Sequence, residues 1–145
     1  MKSRPGRYEY LPHTADAKFV AHGKDLETMF ANAAEAMVAI ITDPAKVKPK
    51  REFPIEKHGR DLERLLSDFL GELLFLLDTE HFLPGKVRTI SVKEEGDGTF
   101  SLTATVAGDA VQGYDVSCNV KAVTYNDMYV KKTKAGWECC VVVDL

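Results

Sequence analysis

His22-Gly-Lys-Asp-Leu-Glu-Thr-Met-Phe30 and His58-Gly-Arg-Asp-Leu-Glu-Arg-Leu-Leu66 are two copies of one short pattern, and their reading decides the architecture of the 145-residue chain. In each copy a glycine makes a turn, an aspartate is placed to cap a helix, a glutamate favours the positive helix end, and a leucine starts a buried face. A duplicated phosphate-binding turn is the alternative, because helix N-termini offer free N–H groups to anions. Neither copy has the several glycines that let a backbone wrap a phosphate, so the capping reading is preferred. Each copy follows a β-compatible run. After the first, Leu26, Met29, Phe30, Ala33, Met37, Ile40 and Ile41 fall at helical spacing, and Pro44 bars continuation. After the second, Leu62, Leu65, Leu66, Phe69, Leu70, Leu73, Leu74 and Leu77 predict a helix over 62–78, apolar over so wide an arc that it packs centrally.

Strands are predicted over 8–11, 18–22 and 53–57. Beyond Pro84 the period changes to two, giving strands over 87–93, 100–106, 114–116, 120–130 and 137–143. Glu95-Gly-Asp-Gly98 and Thr133-Lys-Ala-Gly136 read as hairpin loops, and 108–113 as a longer connection. The expectation is a single α+β domain over 1–145, with two helices packed on one face of a largely antiparallel multi-stranded sheet.

The chain carries 19 Lys and Arg against 22 Asp and Glu, a formal charge of −3, which argues against nucleic-acid binding through a broad basic surface. A partner that holds the nucleic acid remains compatible with it. Hydrophobic residues make up 45%, far from the composition of a disordered chain. The cysteines Cys118, Cys139 and Cys140 are odd in number and lack zinc spacing; they read as small core hydrophobes. The basic start lacks an apolar signal region, and the longest apolar stretch is broken by Ser67, Asp68, Gly71 and Glu72, so no membrane span is expected. The expected setting is reducing and cytoplasmic.

Enzyme signatures are scarce: no Gly-x-Ser-x-Gly elbow, P-loop, dinucleotide fingerprint, His-Glu-x-x-His or Cys-x-x-Cys occurs. The polar chemistry lies elsewhere. Asp16 sits in the tight His13-Thr-Ala-Asp connection, Asp144 follows Val141-Val-Val, and Leu145 adds a terminal carboxylate. If the last strand neighbours the first, these carboxylates converge, and an all-oxygen shell selects calcium, magnesium or manganese over zinc. Lys121-Ala-Val-Thr-Tyr125 lies on a predicted strand with Lys121, Val123 and Tyr125 on one side and Ala122 and Thr124 on the other. His22, His58 and His81 read as surface or capping residues. The run Lys46, Lys48, Lys50, Arg51 reads as a solvated linker or as an electrostatic handle for RNA or an acidic partner.

Tyr8-Glu-Tyr-Leu-Pro-His-Thr-Ala-Asp16, the Thr42-Asp-Pro44 helix end, Lys121-Ala-Val-Thr-Tyr125 and the terminal Val-Val-Val-Asp-Leu145 together resemble the archease family, in collinear order over nearly the whole chain. The resemblance implies a cofactor of the RtcB-type RNA ligase of tRNA splicing, which uses GTP and manganese. Such a cofactor promotes guanylylation of the ligase, restores its turnover and broadens its nucleotide use, with no ligation of its own and with tRNA reached only through the ligase. It also implies metal binding by Asp16, Asp144 and Leu145, and a ligase-facing role for Lys121, with His13, Thr124 and Tyr125 as further functional candidates. Many members have His after the Lys-Ala-x-Thr-Tyr tyrosine, whereas this chain has Asn126. The competing expectation is a chaperone or specificity modulator of RNA-modifying enzymes such as tRNA methyltransferases.

Overall fold

Asp25 and Asp61 cap two helices, as their place in the repeated pattern requires. In the computed structural model of the chain, which describes residues 2–12 and 16–145, Asp25 accepts a hydrogen bond from the Thr28 N–H at 2.8 Å and opens α1, Leu26–Ile41. Asp61 accepts from the Arg64 N–H at 2.7 Å and opens α2, Leu62–Glu80. The strands are β1 Tyr8–Leu11, β2 Ala17–Gly23, β3 Arg51–Gly59, β4 Phe82–Glu94, β5 Phe100–Ala110, β6 Ala122–Thr133 and β7 Gly136–Asp144. A 3₁₀ turn, Pro44–Lys46, follows α1.

The α+β class is as expected, and the strands divide between two antiparallel sheets, ordered β1-β2-β7-β6 and β3-β5-β4. Each helix packs on both sheets: α1 on β2 and β4, α2 on β3 and β6. Their contact is made by Phe30 and Phe69, both fully buried, with ring centroids 6.2 Å apart. Cys139 and Cys140 are buried on opposite faces of β7, and burial pushes the Cys139 thiol up to about 12.

The repeated pattern is repeated in space. β2 precedes α1 and pairs with β7, the second strand of the β6–β7 hairpin; β3 precedes α2 and pairs with β5, the second strand of the β4–β5 hairpin. Glu27 at the start of α1 accepts a hydrogen bond from the Val92 N–H on β4 at 3.0 Å, and Glu63 at the start of α2 accepts from the Val130 N–H on β6 at 3.2 Å. Each helix thus fastens the edge strand of the sheet to which its own preceding strand does not belong.

The strand expected over 114–116 is absent. Residues 111–121 form a turn and an extended connection instead, and their polar groups have partners other than a neighbouring strand's backbone. The Tyr114 hydroxyl donates to Asp109 at 2.6 Å, the Ser117 N–H donates to the Ile41 carbonyl at 2.7 Å, and the Thr42 hydroxyl donates to the Asp115 carbonyl at 2.8 Å. β3 and β4 are longer than their patterns predict and include Pro54 and Pro84, tolerated because both strands are sheet edges.

Gly23 and Gly59 occupy equivalent turns with unequal clearance. A Cβ on Gly23 would lie 2.2 Å from the Met29 backbone nitrogen, whereas one on Gly59 would meet its nearest atom, the Leu65 nitrogen, at 3.0 Å. Gly23→Ala is expected to cost roughly 3 kcal/mol in urea unfolding and Gly59→Ala about 1 kcal/mol; equal costs would contradict this difference. Glu63→Ala is expected to cost about 1.5 kcal/mol and to speed hydrogen exchange at the Val130 amide. Unchanged exchange there would show that the carboxylate does not hold the strand.

Candidate functional site

One end of the first sheet gathers the polar residues that the sequence singles out. Ala17 on β2 pairs with Val143 on β7, and Asp144 pairs with Ala122 on β6. Asp16, Asp144 and Ala122 therefore form one row, and the next row on the same face is Lys18, Val142 and Thr124. The last strand neighbours the second strand, not the first, and this places the start of β2 beside the end of β7. Both aspartates are half-buried, and Leu145, also half-buried, packs on the core beside them. Lys121 lies just before β6, not within it, and its N–H donates to the Asp144 carbonyl at 2.8 Å. His13 falls outside the described residues.

Beyond Thr124 the ladder breaks. Thr124 pairs with Val142 and Tyr129 with Cys140, so the four residues 125–128 stand opposite Val141 alone. The result is a large bulge with Asp127 in the left-handed region, φ 54°. The Thr124 hydroxyl donates to the Val142 carbonyl at 3.0 Å and accepts from the Asn126 N–H at 3.3 Å. Lys18 ties the bulge to the sheet through Asp127, Nζ to Oδ2 3.2 Å. Alternation therefore fails at Tyr125, which does not share a regular strand face with Lys121 and Val123 and is 58% exposed. Sequence reasoning missed the bulge. Its signal was Asn126-Asp127, turn-forming residues inside a strand pattern.

Further along this face Glu138 accepts from the Tyr129 hydroxyl at 2.6 Å, pairs with Lys131 Nζ at 3.4 Å and lies 3.5 Å from His22 Nδ1. The tyrosine's hydrogen bond is the largest cause holding the Glu138 carboxyl below its ordinary value, and burial together with Glu138 pushes Tyr129 up. His58 contacts Glu56 at 3.4 Å, and His81 ends α2 in the left-handed conformation, both in keeping with surface and capping roles. Among the described residues no group of three or more His, Cys, Asp or Glu side chains is placed to hold a metal ion. The sheet end offers Asp16 and Asp144, oxygen donors of the kind that a hard divalent cation takes.

The family model for the Archease protein family (MTH1598/TM1083) matches residues 8–145. The chain is 40% identical to protein archease of Methanosarcina mazei over 147 residues, covering all of both. It is 38% identical to protein archease of Methanothermobacter thermautotrophicus over 95% of this chain and 98% of that one. Among solved structures, protein 1598 of Methanobacterium thermoautotrophicum superposes with a TM-score of 0.83 at 37% identity, over 95% of this chain and 98% of that one. A Thermotoga maritima protein described as an archease, possible chaperone, shares the fold, with a TM-score of 0.59 at 16% identity over 100% of this chain and 98% of that one.

The Glu138 cluster carries a pH signature. A carboxyl held below its ordinary value of 4.5 contributes stability that is present above that value and lost as pH falls through the folded-state value. Tyr129→Phe removes the largest cause, so the stability gap between the parent and this variant is expected to narrow on acidification from about pH 7 to about pH 3. A gap independent of pH in urea titrations would contradict the assignment.

Proposed function

The chain belongs to the archease family, and from that premise we propose that it is a non-catalytic activator of an RtcB-type RNA ligase, acting in the cytoplasm and reaching tRNA only through the ligase. The observation that carries this reading is the gathering of Asp16, Asp144, Lys121, Thr124 and the Tyr125 bulge at one end of one sheet. That end is the docking surface. Thr124 and Asp127 hold the bulge in shape, and exposed Tyr125 and Lys121 present an aromatic ring and a cation to the ligase. Asp16 and Asp144, with Leu145 next to them, would hold a calcium, magnesium or manganese ion, which when bound supplies positive charge at the docking surface. Asn126, in place of the histidine of many relatives, keeps hydrogen-bonding capacity without a titratable ring. No described helix is long and apolar enough to cross a membrane.

A chaperone reading calls for a continuous apolar face. Among the described residues the large exposed apolar side chains, Phe75, Val116 and Tyr125, sit on α2, the 111–121 connection and the bulge, so the ligase reading is preferred.

Asp16→Asn and Asp144→Asn are each expected to lower the stimulation of multiple-turnover ligation by roughly tenfold or more. Arg64→Ala, on the exposed start of α2, leaves it intact. Separately, calcium or manganese raises the melting temperature of the parent chain and not that of the double aspartate variant. Undiminished stimulation by both single variants would overturn the assignment of the site. Suppression of aggregation of an arbitrary unfolded protein, with no effect on the ligase, would favour the chaperone.

A further inference from the structure

A groove of about 900 Å³ runs between residues 2–8, the outer side of α1, the 3₁₀ turn and the start of β4. Its floor is apolar, with Ala34, Val38, Val47 and Val87. Among the described residues its charged lining is four cations, Lys2, Arg4, Arg7 and Lys86, against two anions, Glu35 and Asp43. Both anions are already engaged. Glu35 holds Arg4 at 2.8 Å and Arg7 at 2.9 Å, so one carboxylate serves two guanidiniums, and Asp43 accepts the Ala45 N–H at 3.1 Å as the cap of the 3₁₀ turn. Arg7 is further fixed by Nε to Asn32 at 3.1 Å. The wall is therefore built in place with a positive surplus.

That surplus continues along the chain. Val47 and Pro49 line the groove while Lys46, Lys48, Lys50 and Arg51 run on from its edge. Four Lys and Arg of the described residues thus line the groove, and a basic run adjoins it in sequence, on a chain whose net charge is −3. Single-stranded RNA is a poor match, because its bases stack on exposed aromatic rings, and among the described residues the one aromatic lining the groove, Tyr8, is buried.

We propose that this groove docks an acidic peptide segment of a partner protein, its apolar side chains on the floor and its flanking Asp or Glu carboxylates on the cationic rim. None of Asp16, Asp144, Lys121, Thr124 or Tyr125 lines the groove, so the docking is separate from the site proposed above and does not depend on it.

The test is fluorescence anisotropy on the full chain with labelled peptides of roughly twelve residues, one alternating Leu and Glu and one alternating Leu and Gln, and with a single-stranded RNA of equal charge. The Glu peptide is expected to bind, and to weaken roughly tenfold or more when Lys2→Glu and Lys86→Glu are combined, and also when salt is raised from about 50 to about 200 mM. Ala39→Phe, which fills the groove from a half-buried position on α1, abolishes binding, and Asp144→Asn leaves it unchanged. Circular dichroism confirms that each variant is folded. The proposal is overturned if the Gln peptide binds as well as the Glu peptide, if the RNA binds more tightly, if no peptide binds at about 1 mM, or if the folded variants bind like the parent.

Discussion

The carboxylates of Glu27 and Glu63 add a polar cross-link to two sheets that already share one apolar core through both helices. Each accepts a hydrogen bond from an edge-strand amide of the opposite sheet, Val92 and Val130 respectively. An unpaired edge amide is a liability, since it templates pairing with another chain, and a charged acceptor is a strong way to satisfy it. The same carboxylates lie in the first helical turn, where the helix dipole favours negative charge. Because the reach is reciprocal, neither helix can shift without loosening the other's sheet, and the shared core of Phe30 and Phe69 is enclosed between them.

That interlocked frame places the candidate site. β7 is central in its sheet, between β2 and β6, so its last residue, Asp144, is flanked by the entry of β2 and the entry of β6. Asp16 and Lys121, 105 positions apart in sequence, immediately precede the β2 and β6 residues that pair with the end of β7, one on each side of it. The bulge that follows takes Tyr125 out of the ladder, and the Lys18–Asp127 ion pair anchors it. This mixed-charge end and the groove beside α1 are two separate polar surfaces on one small acidic protein.

Much of this was legible in the residues. The caps Asp25 and Asp61, both helices, the hairpin loops and the single α+β domain follow from local rules, because capping, turn chemistry and apolar periodicity act within a few residues. The strand expected over 114–116 failed because its polar groups found tertiary partners on α1 and on Asp109. The division into two sheets was hidden for a similar reason: period two marks a strand and does not say which strand it joins. At the candidate site the residue types were readable, but the alternation assumed for Tyr125 was not, since a bulge is decided by how two strands reconcile their lengths.

The amino-acid sequence by itself determined the helices, their caps, the turn glycines and, through the collinear motifs, membership of the archease family. Those depend on neighbours in the chain. Only the tertiary structure decided that β7 lies between β2 and β6, that Asp16 aligns with Asp144, that Glu27 and Glu63 cross to opposite sheets, and that a scattered set of lysines and arginines lines one groove. Each of these joins residues far apart along the chain, and register and packing in the folded core, not local propensity, set which of them meet.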